Sequence, residues 1–113
     1  MIKIYDETNN SNYLEEALEI IKWLKSKESN NPIHIINEYQ IYKRQRDLYF
    51  NEREKLKELI KTSTDFNEYY KLICCAYILL DDFNNFENYF KKLDKSKKND
   101  FKNYPIYSLY KKN

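Results

Sequence analysis

Three side chains have the chemistry of catalytic residues: one histidine, His34, and two adjacent cysteines, Cys74 and Cys75. A hydrolytic triad needs a base, an orienting acid and a nucleophile, but no motif of that kind surrounds His34. Consecutive helical residues point about 100° apart, so a disulfide between the two cysteines is not expected. Their apolar helix face predicts buried, reduced thiols, and the three residues lack the spacing of a zinc site. We therefore predict no enzyme activity, no catalytic residue, no metal site and no cofactor.

Two groups of carboxylates are the remaining candidates for acid–base chemistry. Glu15, Glu16 and Glu19 form one group, and Asp81 and Asp82 form the other. Paired carboxyls act in this way only in a water-poor cleft that shifts their pKa. The first group is expected on a solvated helix face near its N-terminus, and the second in a turn. A structural role is favoured for both.

A polar stretch between Asn37 and Arg46 is the first candidate binding surface. Asn37 and Gln40 fall among apolar positions, and buried amides need hydrogen-bond partners. They either tie adjacent backbones together or recognise a peptide. The twelve tyrosines of the chain favour an interaction surface, because Tyr is enriched at interfaces. The residues predicted to contact a protein partner are Asn37, Tyr39, Gln40, Lys43, Arg44 and Arg46.

The C-terminal end is the second candidate surface because its charge is strongly positive. Residues 91–113 contain eight Lys and two Asp, a net charge of +6, whereas the whole chain carries only +2. Three interpretations stay open: a solvated cap, a surface for an acidic protein, or a nucleic-acid site that uses phosphate contacts and base stacking. Arginine, which specific readers of bases favour, is scarce. The lysines concerned are Lys91, Lys92, Lys95, Lys97, Lys98 and Lys102.

The elements that position these residues are predicted to be helices. The chain has no Gly and only two Pro, whereas β-sandwiches need Gly-rich turns and phosphate-binding loops need Gly for close backbone approach. The composition therefore predicts an all-α fold and excludes a nucleotide-binding loop. No hydrophobic leader and no apolar run near twenty residues is present, which predicts a cytoplasmic protein without a membrane span.

The periodicity predicts five or six helices in a single domain over residues 1–113. Residues 1–10 form a polar segment that begins extended, and residues 94–113 form a basic cap. Capping pairs are predicted at Asn12 with Glu15, Asn51 with Glu54, and Asp65 with Glu68, and Asp82 is predicted to cap the helix that follows it. The helices are predicted over residues 12–26, 32–46, 51–62, 66–80 and 83–93, with a short basic helix over 94–102 and a last turn near 106–110.

The central pair of helices, residues 64–93, resembles a tetratricopeptide repeat. That repeat has large, small and aromatic residues at set positions of two helices joined by a tight turn. Two positions depart from it: Asp81 stands where Gly is usual, and the bulky Phe86 stands where Ala is expected. The matching residues are Tyr70, Ile73, Cys74, Tyr77, Phe83, Phe90 and Leu93.

The resemblance implies a short tetratricopeptide-like stack of helical hairpins that binds proteins. Residues 37–46 and 101–109 also resemble helical-repeat tails of uncharacterised bacterial proteins. Heavy use of Asn, Lys, Ile and Tyr is typical of an AT-rich genome, so a bacterial or phage source is expected. We predict a non-catalytic accessory protein that docks on a larger protein, of which an inhibitor or anti-defence protein is one form. A nucleic-acid-binding protein is the alternative, and a homo-oligomer stays open.

Overall fold

The computed structural model describes residues 2–28, 31–63 and 70–111. Helices account for 81% of the residues that the structure describes, and no strand occurs among them, so the predicted all-α class is confirmed. The helices are α1 (Ile2–Thr8), α2 (Ser11–Lys27), α3 (Pro32–Gln45), α4 (Phe50–Ser63), α5 (Tyr70–Leu79), α6 (Phe83–Phe90), α7 (Lys95–Lys102) and α8 (Tyr107–Lys111).

The chain divides into two compact units, Met1–Leu48 and Tyr49–Asn113. The prediction of a single domain over the whole chain stays a prediction. The count of five or six helices is not confirmed, because eight helices occur in the described part of the chain. The difference comes from short helices, such as α1, that the sequence pattern left extended or as single turns.

The first unit has its core on one face of α2. Leu14, Ala17 and Ile21 recur at steps of three and four and are buried together with Ile41 of α3. That spacing places them on one side of a helix. Ile2 and Tyr5 of α1, with Leu18, pack at the edge of this cluster. Each such apolar side chain contributes about 1.5–3 kcal/mol when it is fully buried.

The second unit is arranged around α5. Eight of the ten residues of this helix are buried, and it packs against α4, α6 and α8. Neighbouring helices therefore enclose α5. Phe86 of α6 is also buried, and its ring lies 5.2 Å from Phe90, 5.9 Å from Phe101 and 4.8 Å from Tyr110, centroid to centroid.

Helix ends in this chain use Asn and Asp where glycine is common. Asn9, Asp47 and Asp81 have φ values of 57°, 70° and 60°, in the left-handed region that Asn and Asp tolerate better than other non-glycine residues. After α5, Asp81 donates its backbone N–H to the carbonyl of Ile78 and Asp82 donates to that of Tyr77. These two bonds define a Schellman motif. A chain without glycine can thus still turn sharply between helices.

Helix starts agree with the predictions at α6 and differ at α2 and α4. Asp82 caps α6, as predicted, and accepts a hydrogen bond from the Asn85 N–H. The cap of α2 is Asn10, not Asn12, because the Asn10 side chain accepts from the Asn12 N–H. At α4 the Tyr49 N–H donates to the side chain of Glu52, three residues further on, as in a capping box. This pair lies two residues before the predicted pair of Asn51 and Glu54. The predicted cap at Asp65 and Glu68 lies outside the described residues.

The N-terminal segment differs most from its prediction. Residues 2–8 are helical rather than extended, because Ile2 and Tyr5 pack on the core of α2. The basic helix after Asp94 is confirmed as α7, with Asp94 as its cap. In the parts of the chain that the structure describes, no helix is both long enough and apolar enough to cross a membrane.

Candidate functional site

The two cysteines have the environment of core residues. Cys74 and Cys75 are buried in α5 and are not bonded to each other. Burial raises the pKa of the Cys74 thiol to about 12, and burial together with the neighbouring Cys74 raises the pKa of Cys75 still further. A thiol nucleophile needs a lowered pKa and partial exposure. This arrangement therefore predicts unreactive thiols.

His34 is a buried residue at the start of α3. Its Nε2 atom lies 2.9 Å from Oε2 of Glu28, at the end of α2, and this hydrogen bond lowers the pKa of the Glu28 carboxyl below its ordinary value. No group of three or more His, Cys, Asp or Glu side chains with the geometry of a metal site occurs within residues 2–28, 31–63 and 70–111. The observed contact is a link between the two helices.

Arg44, one of the predicted partner-binding residues, is used inside the first unit. Its side chain is only 3% exposed. Its guanidinium donates from Nε and Nη2 to the two carboxylate oxygens of Asp6, at 2.9 and 3.1 Å, and from Nη1 to the Gln40 carbonyl at 3.0 Å. A bidentate pair of this kind is strong and directional. It holds α1 against α3, so Arg44 cannot reach a partner without breaking this contact.

The other residues of the predicted surface also make internal contacts. Gln40 is buried and its side-chain amide donates to Asn37 Oδ1 at 3.3 Å, so this bond joins two side chains of α3 and does not tie adjacent backbones together. Tyr39 is buried as well. Lys43 pairs with Asp47 at 2.9 Å. Arg46 is exposed, and its guanidinium lies 4.2 Å from the centre of the Tyr42 ring. The structure therefore gathers the six residues on or just after α3 but leaves little of their polar surface exposed.

The basic C-terminal end presents several lysines to solvent. Phe101 of α7 is completely buried and fixes that helix on the second unit. Lys97 is half-buried and lies 5.2 Å from the centre of the Tyr70 ring, and Lys98 is half-buried as well. The exposed members of the predicted set are Lys91, Lys92, Lys95 and Lys102.

Asp100 links this end of the chain to α5. It accepts a hydrogen bond from the Tyr104 hydroxyl at 2.9 Å, and Lys71 Nζ lies 3.5 Å from the same carboxylate. The hydrogen bond from Tyr104, followed by the charge of Lys71, lowers the pKa of Asp100. This carboxylate reduces the positive potential around Tyr104, one of the aromatic residues available for base stacking.

A groove in the second unit is formed by residues of α4, the end of α5 and the turn after it. It has a volume of about 960 Å³ and is lined by one side of α4 and the C-terminal end of α5. Its apolar part consists of Ile60, Tyr77 and Leu80, all half-buried. The Tyr77 ring lies 6.4 Å from that of Tyr89, and burial, followed by the charge of Asp82, raises the Tyr77 pKa.

Charged side chains of both signs surround this apolar part. Arg53, Lys57 and Lys61 recur at steps of four along α4, and residues at this spacing are neighbours on one helix face. Lys57 Nζ lies 3.1 Å from Glu54 Oε1 in an exposed ion pair. Such exposed pairs are worth less than about 1 kcal/mol, so a charged ligand can replace either partner at small cost. The acidic lining residues are Glu54, Glu58 and Asp82.

The sequence contained part of the signal for this groove. The three basic residues at steps of four, Arg53, Lys57 and Lys61, can be read from the sequence of the helix predicted over residues 51–62. The contribution of Tyr77 and Leu80 was not visible, because it depends on how α4 packs against α5. Comparison with protein-family models, curated proteins and solved structures gives no match. The fold class is all-α, and the function has to be argued from the geometry.

Proposed function

We propose that this chain is a non-catalytic protein-interaction module that binds a segment of a larger protein in the α4–α5 groove. The observation that carries the proposal is the groove itself, where half-buried apolar side chains are surrounded by charges of both signs. Its size falls within the range of natural ligand sites. Unreactive thiols and a histidine that links two helices support a role without catalysis.

The occupant that fits best is an amphipathic helix of the partner. A partner helix can insert apolar side chains one turn apart between Ile60, Tyr77 and Leu80. Its acidic residues would then contact the basic row on α4, and its basic residues would contact Glu58 and Asp82. Charges of both signs determine the direction in which a helix lies in a groove. A compact metabolite would leave most of an open, mixed-charge surface of this kind without contacts.

We further propose that α5 and α6 form a tetratricopeptide-like hairpin. Asp81 supports this, because its left-handed φ of 60° is the conformation for which the family uses Gly at this turn. Phe86 takes the place of a small residue and stacks on Phe90 at 5.2 Å. A larger side chain at that position separates the helices more widely and explains why the family pattern is weak here. Buried unpaired cysteines are typical of a reducing compartment, which supports a cytoplasmic accessory protein of a bacterium or phage.

Affinity capture with two matched charge variants tests the function. The baits are the wild type, the groove variant Lys57→Glu/Lys61→Glu, and the control Lys91→Glu/Lys92→Glu, which changes the net charge equally outside the groove. Each is incubated with nuclease-treated lysate of the source organism. We expect the wild type and the control to capture the same protein, and the groove variant to lose at least tenfold of it. Equal capture by all three baits contradicts the proposal, provided that circular dichroism shows all three folded.

A nucleic-acid-binding function is the second candidate, and the exposed lysines near α7 favour it. Lys91, Lys92, Lys95 and Lys102 can each contact a phosphate, and each such contact makes affinity fall steeply with salt. The control variant described above tests this directly. Retention of the wild type on a DNA column at moderate salt, with loss of retention for Lys91→Glu/Lys92→Glu only, would establish this alternative. Elution of all three proteins at low salt excludes it.

A further inference from the structure

The outward face of α2 carries a row of exposed residues that no part of the function proposed above uses. Glu16, Ile20, Trp23 and Lys27 follow each other at steps of four, three and four, so they lie along one side of the helix. The side chains of Ile20 and Trp23 are 48% and 60% exposed, and Glu16 and Lys27 are exposed as well. The opposite face of α2 is the one that forms the core of the first unit.

The charges along this row are placed so that two copies of α2 attract each other when they run antiparallel. An acidic residue precedes the two apolar residues, and a basic residue follows them. The surrounding charges have the same asymmetry, because Glu15 lies in the first half of α2, Glu19 at its midpoint, and Lys22 and Lys25 in its second half. Lys27 also keeps to the same side of the helix as Trp23, since its Nζ lies 5.9 Å from the ring centre. A parallel neighbour would place glutamate against glutamate, whereas an antiparallel neighbour places glutamate against lysine.

We propose that this face binds a second copy of the chain through antiparallel packing of α2 on α2. A two-fold axis between Ile20 and Trp23 brings Trp23 of each copy onto Ile20 of the other, and Glu16 of each copy onto Lys27 of the other. Every contact then occurs twice, as two-fold symmetry requires. Trp is the side chain that most often dominates such interfaces. One helix pair buries less than a standard interface of about 1,600 Å², so the dimer is weak and dissociates on dilution.

Sedimentation velocity over micromolar to sub-millimolar concentrations measures this association. We expect a reversible monomer–dimer equilibrium for the wild type. Trp23 is the only tryptophan of the chain, so its emission should shift to shorter wavelength as concentration rises and the indole leaves water. Trp23→Ala should sediment as a monomer throughout. A wild type that stays monomeric over the whole range overturns the proposal.

Charge reversal determines whether the antiparallel register is correct. Glu16→Lys and Lys27→Glu each place like charges against each other in the dimer, so each variant alone should dimerise at least tenfold more weakly. An equimolar mixture of the two variants should recover the wild-type affinity, because the two then pair with opposite charges at both ends. The double variant Glu16→Lys/Lys27→Glu should also recover it. Dimerisation that is unchanged in both single variants, or a mixture that fails to recover, contradicts the assigned register.

Discussion

Asp81 shows at the scale of one residue how this chain makes a tight turn without glycine. Its φ of 60° is unfavourable by about 1–2 kcal/mol for most residues with a Cβ, and less so for Asp and Asn. We expect Asp81→Val to lower the free energy of unfolding by about 1–2 kcal/mol. Asp81→Gly should stay within about 1 kcal/mol of the wild type. Urea denaturation of each variant provides the measurement.

A matched substitution separates this backbone effect from a general effect of valine. Asn84→Val introduces the same side chain at an exposed position of α6, where φ is ordinary for a helix. We expect a loss of less than about 0.5 kcal/mol there, because Asn and Val have similar helix propensities. Equal losses for the two valine variants would show that the turn conformation at Asp81 does not limit stability.

The thiols of α5 allow a second test at the residue scale. Because burial raises the pKa of Cys74 to about 12, native protein at pH 8 should react with a disulfide reagent only after it unfolds. Both thiols should react at once in strong urea. Rapid modification of one thiol in native protein would contradict the interpretation that they are core residues and would reopen a catalytic role.

The same thiol has a consequence for alkaline stability. Its folded pKa lies above the ordinary value of 9.0, so the folded chain keeps a proton where the unfolded chain loses it. The protonated Cys74 thiol therefore makes its full contribution to the free energy of unfolding below pH 9.0. That contribution is lost as the pH rises towards about 12. Replacement of Cys74 by Ala should flatten this part of the pH profile, which urea midpoints between these values would detect. An unchanged slope would show that the thiol is not the cause.

At the scale of elements, a buried ion pair between Asp6 and Arg44 joins α1 to α3. Removing one partner leaves a buried charge, which costs about 3–5 kcal/mol. We expect Asp6→Asn to destabilise the protein by about 3 kcal/mol. The double variant Asp6→Leu/Arg44→Met should regain most of that loss, because it removes both charges of the pair. Urea unfolding of Asp6→Leu, Arg44→Met and the double variant forms the thermodynamic cycle.

An exposed pair provides the control for this cycle. Lys57 and Glu54 lie 3.1 Å apart, and both are about half exposed. Glu54→Gln should change the unfolding free energy by less than about 1 kcal/mol. A loss at Asp6 as small as that at Glu54 would mean that α1 is held by its apolar contacts alone.

Local sequence patterns predict some of the helices and caps of this chain and miss others. The periodicity predicted α3, α4 and α7 closely, because each has a regular apolar stripe or a clear cap. Helix α1 was missed because seven residues do not form a stable helix alone, and contacts with the core of α2 stabilise it. The cap of α2 was misplaced by two residues because several Asn and Ser residues adjoin one another there, and each can act as a cap.

The candidate site was harder to predict than the fold for a physical reason. Arginine is a common residue at binding surfaces, but Arg44 pairs with Asp6, which lies 38 residues away in sequence. No residue close to Arg44 in sequence therefore indicates that its side chain is buried. Gln40 and Asn37 do have a local signal, because amides among apolar positions need hydrogen-bond partners. The structure shows these two side chains bonded to each other. The groove depends on Tyr77 and Leu80 facing α4, which only tertiary packing determines.

At the scale of the whole molecule, the two proposed surfaces belong to different units. The α2 row lies in the first unit and the α4–α5 groove in the second. We expect the groove variant Lys57→Glu/Lys61→Glu to dimerise with the same affinity as the wild type, because neither substitution alters α2. Sedimentation velocity at matched concentrations checks this expectation. Loss of the dimer in this variant would mean that self-association uses the groove and would overturn the assignment of α2.

Site-specific photo-crosslinking in cells of the source organism shows directly whether the α4–α5 groove binds another protein. A benzoylphenylalanine replaces Lys57 on the groove in one variant and Lys91, exposed and outside the groove, in the other. We expect one discrete protein adduct, heavier than a dimer of this chain, from position 57 after irradiation and none from position 91. Mass spectrometry should then map the crosslink to an amphipathic helix of that protein. No adduct at position 57, or equal adducts at both positions, would contradict a protein-binding groove on α4 and α5.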